Sequence, residues 1–409
     1  MAYQNVGRPR FFIDNYQYLR ALGLDPLSYL ENEQNDYEDM YNRINYVLEN
    51  PSAFTLEPTN YKTFSNVFTD DDQNSSIPNI MRFYIPCGNL ISKMDFSGNM
   101  KWYTAILNHN FRSNRINLQN MMFMSTLARH GDSAPEEEPY TNLDIVDENH
   151  IGVLNYDPAG VTSQANHVVT CYDGSTIVYS DNVPFSARFA GFELERIWSS
   201  FDIRIGAIST GIMYTMPHSP DLNLKMSIEN DGYKSVTTSG GSTLTNIKYT
   251  GSPNWTNIDQ QQRTTSMPPF SIRGEGSNSS SGDPWDHDHV NLKRNGRRTW
   301  EMKFSLMSDK DLFPSNFGSY SHTENTSSYD ENDIHTNGNF KHNMFTDDSF
   351  IAQVWNKTCG GALPFIFQPN SENDNPDQFY KARFDQDTLE ITQTAHQVYD
   401  ISVKITEVW

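Results

Sequence analysis

Chemistry in this chain would have to start from a few clusters of reactive side chains, and the densest is Asp283-Pro284-Trp285-Asp286-His287-Asp288-His289. On a strand His287 and His289 share a face, the spacing that lets two imidazoles reach one metal, with Asp286 beside them. A third ligand would have to come from elsewhere, such as His322 or His335, and nothing in the sequence places either. The segment therefore reads as a solvated loop end of mixed charge, and no metal ligand is assigned. The cysteines Cys87, Cys171 and Cys359 are far apart, odd in number and contain no Cys-x-x-Cys pair. They support neither a thiolate zinc site nor a disulfide framework, and buried, reduced thiols are expected. Lys293-Arg294-Asn295-Gly296-Arg297-Arg298 is the main basic cluster. Beside the strand it precedes, it is expected to form a turn salt-bridged to acidic groups of the chain or of a neighbouring subunit.

Arg129-His130-Gly131-Asp132-Ser133-Ala134-Pro135 resembles the Arg-His-Gly-x-Arg-x-Pro signature of histidine phosphatases, where the His accepts the phosphoryl group and two Arg clamp its oxygens. Ser133 stands where the second Arg belongs, which removes half the clamp. Those enzymes are also α/β proteins, and this chain patterns as strands and turns. A polar turn before the loop at Glu136-Glu137-Glu138 is the expectation. No Gly-x-Ser-x-Gly elbow, phosphate-cradling Gly loop, dinucleotide fingerprint or His-Glu-x-x-His occurs, and no carboxylate pair stands out as an acid/base couple. No catalytic residue and no cofactor is assigned; the expectation is a protein that is not an enzyme.

Composition points the same way. Of 409 residues 36% are hydrophobic and 13% aromatic, which suggests a core built on Phe, Tyr and Trp under polar loops. The formal net charge of -21 repels nucleic-acid phosphates and anionic lipid, so neither is expected as a partner. No apolar run approaches the ~18 residues of a membrane helix, and Met1 to Arg8 has no secretory pattern, so folding in the cytosol of the producing cell is expected.

The elements that must hold any site are mostly strands. Period-2 alternation is cleanest at Leu222-Asn223-Leu224-Lys225-Met226-Ser227-Ile228-Glu229, predicting Leu222, Leu224, Met226 and Ile228 buried together with Lys225 and Glu229 exposed. Trp300-Glu301-Met302-Lys303-Phe304-Ser305-Leu306 repeats the pattern, as do Tyr399, Ile401, Val403, Ile405 and Trp409. Met81 to Ile85 reads as a strand, and Asp173-Gly174-Ser175 as a hairpin turn between His167–Tyr172 and Thr176–Tyr179. Asn230-Asp231-Gly232 reads as a turn into Tyr233–Thr237. Helices are expected at 37–48 and after Thr346-Asp347, the second striped by Phe350, Ile351, Val354 and Trp355 and stopped by Gly360-Gly361. Polar stretches 274–284 and 315–343 read as long loops. The fold class predicted is mainly β: two antiparallel β-domains, sandwich- or barrel-like, with a short helical N-terminal element and one helix in the C-terminal domain. The segments are 1–80 (mixed arm and helix), 81–290 (central β-domain) and 291–409 (C-terminal β-domain). Phe11, Phe12, Tyr16, Tyr18 and Leu19 make the stretch near the N-terminus either an edge strand or an aromatic arm, and the expectation is an arm clasping a neighbouring subunit.

Three blocks resemble a family of virion structural proteins of tailed, largely marine, bacteriophages: Tyr3-Gln4-Asn5-Val6-Gly7-Arg8-Pro9-Arg10-Phe11-Phe12-Ile13-Asp14; Met216-Pro217-His218-Ser219-Pro220-Asp221-Leu222 with Gly240-Gly241-Ser242-Thr243-Leu244; and the stretch from Gly296-Arg297-Arg298-Thr299-Trp300 through Gly360-Gly361-Ala362-Leu363-Pro364-Phe365-Ile366-Phe367-Gln368-Pro369 to Tyr399–Trp409. The last block is also similar to the C-terminal β-domain of minor tail and distal tail proteins. The resemblance implies a structural role in a phage tail, with the chain itself in a symmetric ring and other tail proteins as partners. Rival expectations are a receptor- or carbohydrate-binding tail protein, with Trp255, Trp285 and Tyr320 stacking on host-surface glycan; a head–tail joining or capsid-decorating protein; and a tail-associated hydrolase.

Overall fold

The structure, a computed structural model, describes residues 6–23, 62–64, 79–86, 94, 98–109, 116–124, 143–145, 151–154, 173–180, 189–196, 203–205, 207–229, 233–247, 256–257, 296–314, 347–373 and 378–408. In chain order the N-terminal elements are β1 (Arg10–Asp14), α1 (Asn15–Ala21), β2 (Lys62–Phe64) and β3 (Asn79–Pro86). There follow β4 (Met100–His109), β5 (Ile116–Met124), β6 (Leu143–Ile145), β7 (Ile151–Leu154), β8 (Asp173–Ser180), β9 (Phe189–Arg196), β10 (Ile203–Ile205) and β11 (Ala207–Thr215). The remainder comprises β12 (Lys225–Glu229), β13 (Tyr233–Thr237), β14 (Thr243–Ile247), β15 (Thr256–Asn257), β16 (Arg297–Ser308), α2 (Asp309–Leu312), a π-helical turn (Ile351–Trp355), β17 (Phe365–Gln368), β18 (Tyr380–Phe384), β19 (Ile391–Ala395) and β20 (Val398–Glu407).

The protein is mainly β, and among the described residues every strand pairing is antiparallel. A 12-stranded sheet runs in the order β12-β16-β20-β18-β17-β1-β11-β4-β8-β15, with β19 added to β20 and β7 to β8. A second sheet orders β3-β9-β5-β6, and β2–β10 and β13–β14 make two-stranded ribbons. The expected boundaries at 80/81 and 290/291 do not divide the large sheet, which takes strands from all three segments.

β1 is the seam. It pairs on one side with β11, Phe11 opposite Tyr214, and on the other with β17, Phe11 opposite Phe367. Strand alternation sends Phe11 and Ile13 into one apolar cluster, with Trp102, Tyr214, Trp300, Phe350 and Phe384, and Phe12 into another, with Tyr103, Met213, Ile366 and Phe379. Sheet faces are covered on both sides here, which is why an unbroken apolar run, rather than an alternating one, forms the strand. Around Phe11 the rings of Phe367, Phe365, Phe350 and Phe384 lie at centroid distances of 5.4, 5.6, 5.9 and 6.0 Å. α1 then follows without a loop, because the Asp14 carboxylate caps it by accepting from the Gln17 amide at 3.0 Å.

Several expectations are corrected. Phe11, Phe12, Tyr16, Tyr18 and Leu19 are buried in their own chain, so they form no arm for a neighbour; two flanking strands already take β1's backbone groups and the core takes its rings. Leu222 lies outside β12 and is fully exposed, and Ile228 is 54% exposed, while Leu224 and Met226 are half-buried against the core. The face is as the alternation predicts, and Lys225 and Glu229 are exposed, but β12 ends the sheet and its outer margin has nothing beside it among the described residues. Leu306 is 72% exposed because a bulge between Phe304 and Met307, with Leu306 at φ 64°, shifts the alternation and buries Met307 instead. Asp173-Gly174 is not a turn but the start of β8, where it pairs with Thr256-Asn257. Tyr233–Thr237 is a strand as expected, β13, and pairs with β14, while Asn230-Asp231-Gly232 lies outside the described residues. The expected helix after Thr346-Asp347 is present but π-helical in its middle, the Asn356 N–H donating to the Ile351 carbonyl, and Ser349 rather than Thr346 or Asp347 caps it, its Oγ accepting from the Ala352 N–H at 3.4 Å. Gly360 and Gly361 stop it at positive φ as expected, and Cys359 beside them is exposed rather than buried. Helix 37–48, the loops at 274–284 and 315–343, Cys87, Cys171 and Trp409 lie outside the described residues.

Phe11→Ala is expected to lower the unfolding free energy by ~3–5 kcal/mol, the usual cost of emptying a buried aromatic site. Leu222→Ala, at a fully exposed position, is expected to stay within about 0.5 kcal/mol of the parent. Urea denaturation followed by tryptophan fluorescence checks both.

Candidate functional site

Polar side chains with unusual surroundings gather where β1, α1, β4 and β11 meet. Asp14, opposite Gly211 on β11, is fully buried. Burial pushes its carboxyl up to about 7, against the pull of hydrogen bonds from the Gln17 amide, the Ser209 hydroxyl and the Tyr16 amide. The Tyr103 hydroxyl lies 2.7 Å from Ser209 Oγ, and burial, followed by the nearby Asp14 charge, raises it well above its ordinary range. Thr104 and Thr210 exchange a 3.0 Å contact one rung along. Gly211 leaves the space this network needs: a Cβ there would collide with the Ile13 carbonyl oxygen and lie 2.6 Å from the Asn15 nitrogen. Ser209 sits among buried groups, so the cluster joins elements rather than offering a nucleophile to substrate.

A second buried charge site lies below the π-helical turn. Lys357 is buried and donates from Nζ to Gln353 Oε1 at 2.7 Å, while Gln353 Nε2 donates to the Asp347 carbonyl at 2.7 Å. Burial lowers the ammonium to about 7. At the far end of the sheet Arg298 lies 3.6 Å from buried Glu407 and its guanidinium lies over the Tyr380 ring at 5.5 Å. Arg298 therefore pairs within the chain, inside β16 rather than in a turn before it.

The joint unites the three sequence blocks. Arg8 Nε donates to the Met216 carbonyl at 3.0 Å, Met216 N–H to the Pro9 carbonyl at 2.9 Å and Ser371 N–H to the Arg8 carbonyl at 2.8 Å. Asp221 N–H donates to the Lys303 carbonyl at 2.8 Å, and Ser305 Oγ to the Asp221 carboxylate at 2.7 Å. The residues around positions 8–14, 216–221, 303–305 and 365–371 thus form one hydrogen-bonded seam.

Of the earlier candidates, Phe11, Phe12, Tyr16, Tyr18 and Leu19 come together, but as core. His130, Asp286, His287 and His289 lie outside the described residues, as do Trp255, Trp285 and Tyr320. No group of three or more His, Cys, Asp or Glu able to hold a metal occurs among the described residues. No helix among them is long and apolar enough to cross a membrane. Asp14, Ser209, Tyr103 and Lys357 were not singled out from the sequence. Asp14 alone carried a signal: Asp at an N-cap with Gln three residues on is a capping pattern.

The two buried groups make stability depend on pH in opposite directions. Asp14 has a folded value near 7 against 3.8 unfolded, so its contribution is fully present below about 4 and lost as pH rises through about 7. Lys357 has a folded value near 7 against 10.5 unfolded, so its contribution is present above about 10.5 and lost as pH falls through about 7. Together they place a stability minimum near neutrality. Urea midpoints measured from pH 5 to 9 are expected to dip near 7; Asp14→Asn should remove the acid-side fall and Lys357→Met the alkaline-side rise, each slope being about 1 kcal/mol per pH unit.

Comparison of the chain with protein-family models, with curated proteins and with solved structures finds no match in any of the three.

Proposed function

We propose that the chain is a structural component of a tailed-phage virion, a tail-tip or baseplate ring protein of the distal-tail or minor-tail kind, working as a homo-oligomeric scaffold alongside other tail proteins. One observation carries the reading. The blocks that resemble virion proteins, far apart in sequence, are those joined at β1, β11, β16 and β17 by the backbone bonds around Arg8, Met216 and Ser371. A likeness that includes the residues tying one sheet together is a likeness of scaffold, and a scaffold is what a ring subunit has to supply.

The surface supports the same reading. β13 and β14 form a two-stranded ribbon with Val236 directly opposite Leu244, and these are 63% and 62% exposed. A ribbon of two strands is marginal by itself in water, so an apolar pair on it is suited to being covered by a neighbour. The buried polar groups at Asp14 and Lys357 are enclosed by packing and serve the fold, which favours a scaffold over a hydrolase.

Immunogold electron microscopy of purified particles, with antibody raised against the protein, tests the placement. Label at the tail tip is expected; label on capsid vertices or the head–tail joint would move the chain to a joining or decorating role. Absence of the chain from purified particles by mass spectrometry would end the virion reading. The purified protein is also expected to leave a generic phosphomonoester intact, and turnover that disappears in His130→Ala would replace the scaffold with an enzyme.

A further inference from the structure

The open margin of the large sheet has a sequence that fits itself. β12 is the terminal strand, with β16 on one side and no strand on the other among the described residues. Its backbone groups on that side form a ready template for another strand. Its five residues are Lys225, Met226, Ser227, Ile228 and Glu229. Met226 stands opposite Trp300 and Ile228 opposite Arg298, so both belong to the core face, where Met226 is half-buried and Ile228 is left 54% exposed. Lys225, Ser227 and Glu229 take the other face and are exposed.

We infer that β12 pairs antiparallel with β12 of a second copy of this chain, about a two-fold axis through Ser227. In that register Lys225 faces the second copy's Glu229, Glu229 faces its Lys225, and Met226 and Ile228 face each other across the seam. Two ion pairs then lie on the outer face, and the apolar core face runs unbroken from one chain into the next, covering Ile228. Opposed residues of an antiparallel pair share a face, so registers that keep apolar with apolar differ by whole two-residue steps. Centring on Lys225 sets lysine against lysine, and centring on Glu229 sets glutamate against glutamate; centring on Met226 or Ile228 leaves both charges without an opposite. Only the Ser227 register pairs both. Lys225 already leans on Glu301 of β16 at 3.5 Å while its side chain is 68% exposed, so the ammonium can bridge both carboxylates.

The alternative occupant, an unrelated strand, would not require this internal symmetry. An isologous contact does require it, because each residue meets its counterpart's partner in both directions. The inference rests on the proposal above only in taking the chain to self-associate, and a solution dimer would stand even if no virion contained the protein.

Sedimentation velocity of the full chain reads the outcome directly. The parent is expected to hold an even number of chains. Glu229→Lys and Lys225→Glu, each placing like charges across the seam, are expected to halve the mass with unchanged circular dichroism, and mixing the two variants is expected to restore it by pairing an all-lysine margin with an all-glutamate one. A monomeric or odd-numbered parent overturns the inference, and so does either variant keeping the parent's mass. Should a charge variant fail to fold, cross-linking on a background with Cys87, Cys171 and Cys359 all changed to Ser decides. Facing Cα atoms in such a ladder lie about 4.5–5.5 Å apart, within disulfide reach. Ser227→Cys is then expected to give a covalent dimer under mild oxidation and Asn223→Cys none; no dimer from Ser227→Cys, or equal yields from both, overturns it.

Discussion

The large sheet depends on one short strand near the start of the chain being buried on both faces. β1 puts Phe11 among the rings of one apolar cluster and Phe12 among those of another, while its backbone closes the gap between β11 and β17. Without it the C-terminal strands and the central strands would be two sheets with open inner edges. Burying aromatic side chains of this size is among the largest single stabilising contributions a strand can make. The long-range closure it requires costs chain entropy that only such burial offsets.

That joint also carries charge-bearing groups into the interior. Asp14 caps α1 at the end of β1, and its second role is to face Ser209 and Tyr103 across Gly211. Burying a carboxyl is unfavourable unless it keeps its proton or its hydrogen bonds, and here desolvation outweighs the bonds. Lys357 repeats the situation with the opposite sign of charge under the π-helical turn. Asp14 is held by the Gln17 amide and Lys357 by the Gln353 side chain, both uncharged, so each acts as a neutralisable group near pH 7. Away from the joint, packing thins: β12, β19 and the β13–β14 ribbon carry their exposed apolar side chains at the margins, where a sheet meets whatever lies next to it.

Much of the strand content was legible because period-2 patterning is a local property. Met81–Ile85, Trp300–Phe304 and Ile401–Ile405 fall in strands as their residues imply, and Gly360-Gly361 halt the turn before them where glycine is needed. Failures came where a neighbour, not the segment, decided. Asp173-Gly174 has the composition of a hairpin turn, yet it extends β8 because β15 offers it a partner. Leu306 belongs to the right period until the bulge adds a residue and turns it outward, with its amide satisfied by the Asp400 carboxylate at 3.1 Å. Leu222 and Ile228 have the pattern of core residues, but Leu222 falls in the turn before β12 and Ile228 stands on the sheet's last strand among the described residues.

By itself the sequence determined the class of structure, the faces of its strands and the aromatic character of its core, since these follow from side-chain type and spacing along a few consecutive residues. It also contained the self-complementary order of Lys225 to Glu229, which is a matter of sequence alone. What only the tertiary structure decided was place: that residues 10–14 are the centre of the sheet and not an arm, that Asp14 and Lys357 are enclosed, and that β12 is a margin among the described residues. The physical reason is that burial belongs to pairs of segments separated by hundreds of residues. An apolar run states that it will be covered, and says nothing of whether its own chain or another does the covering.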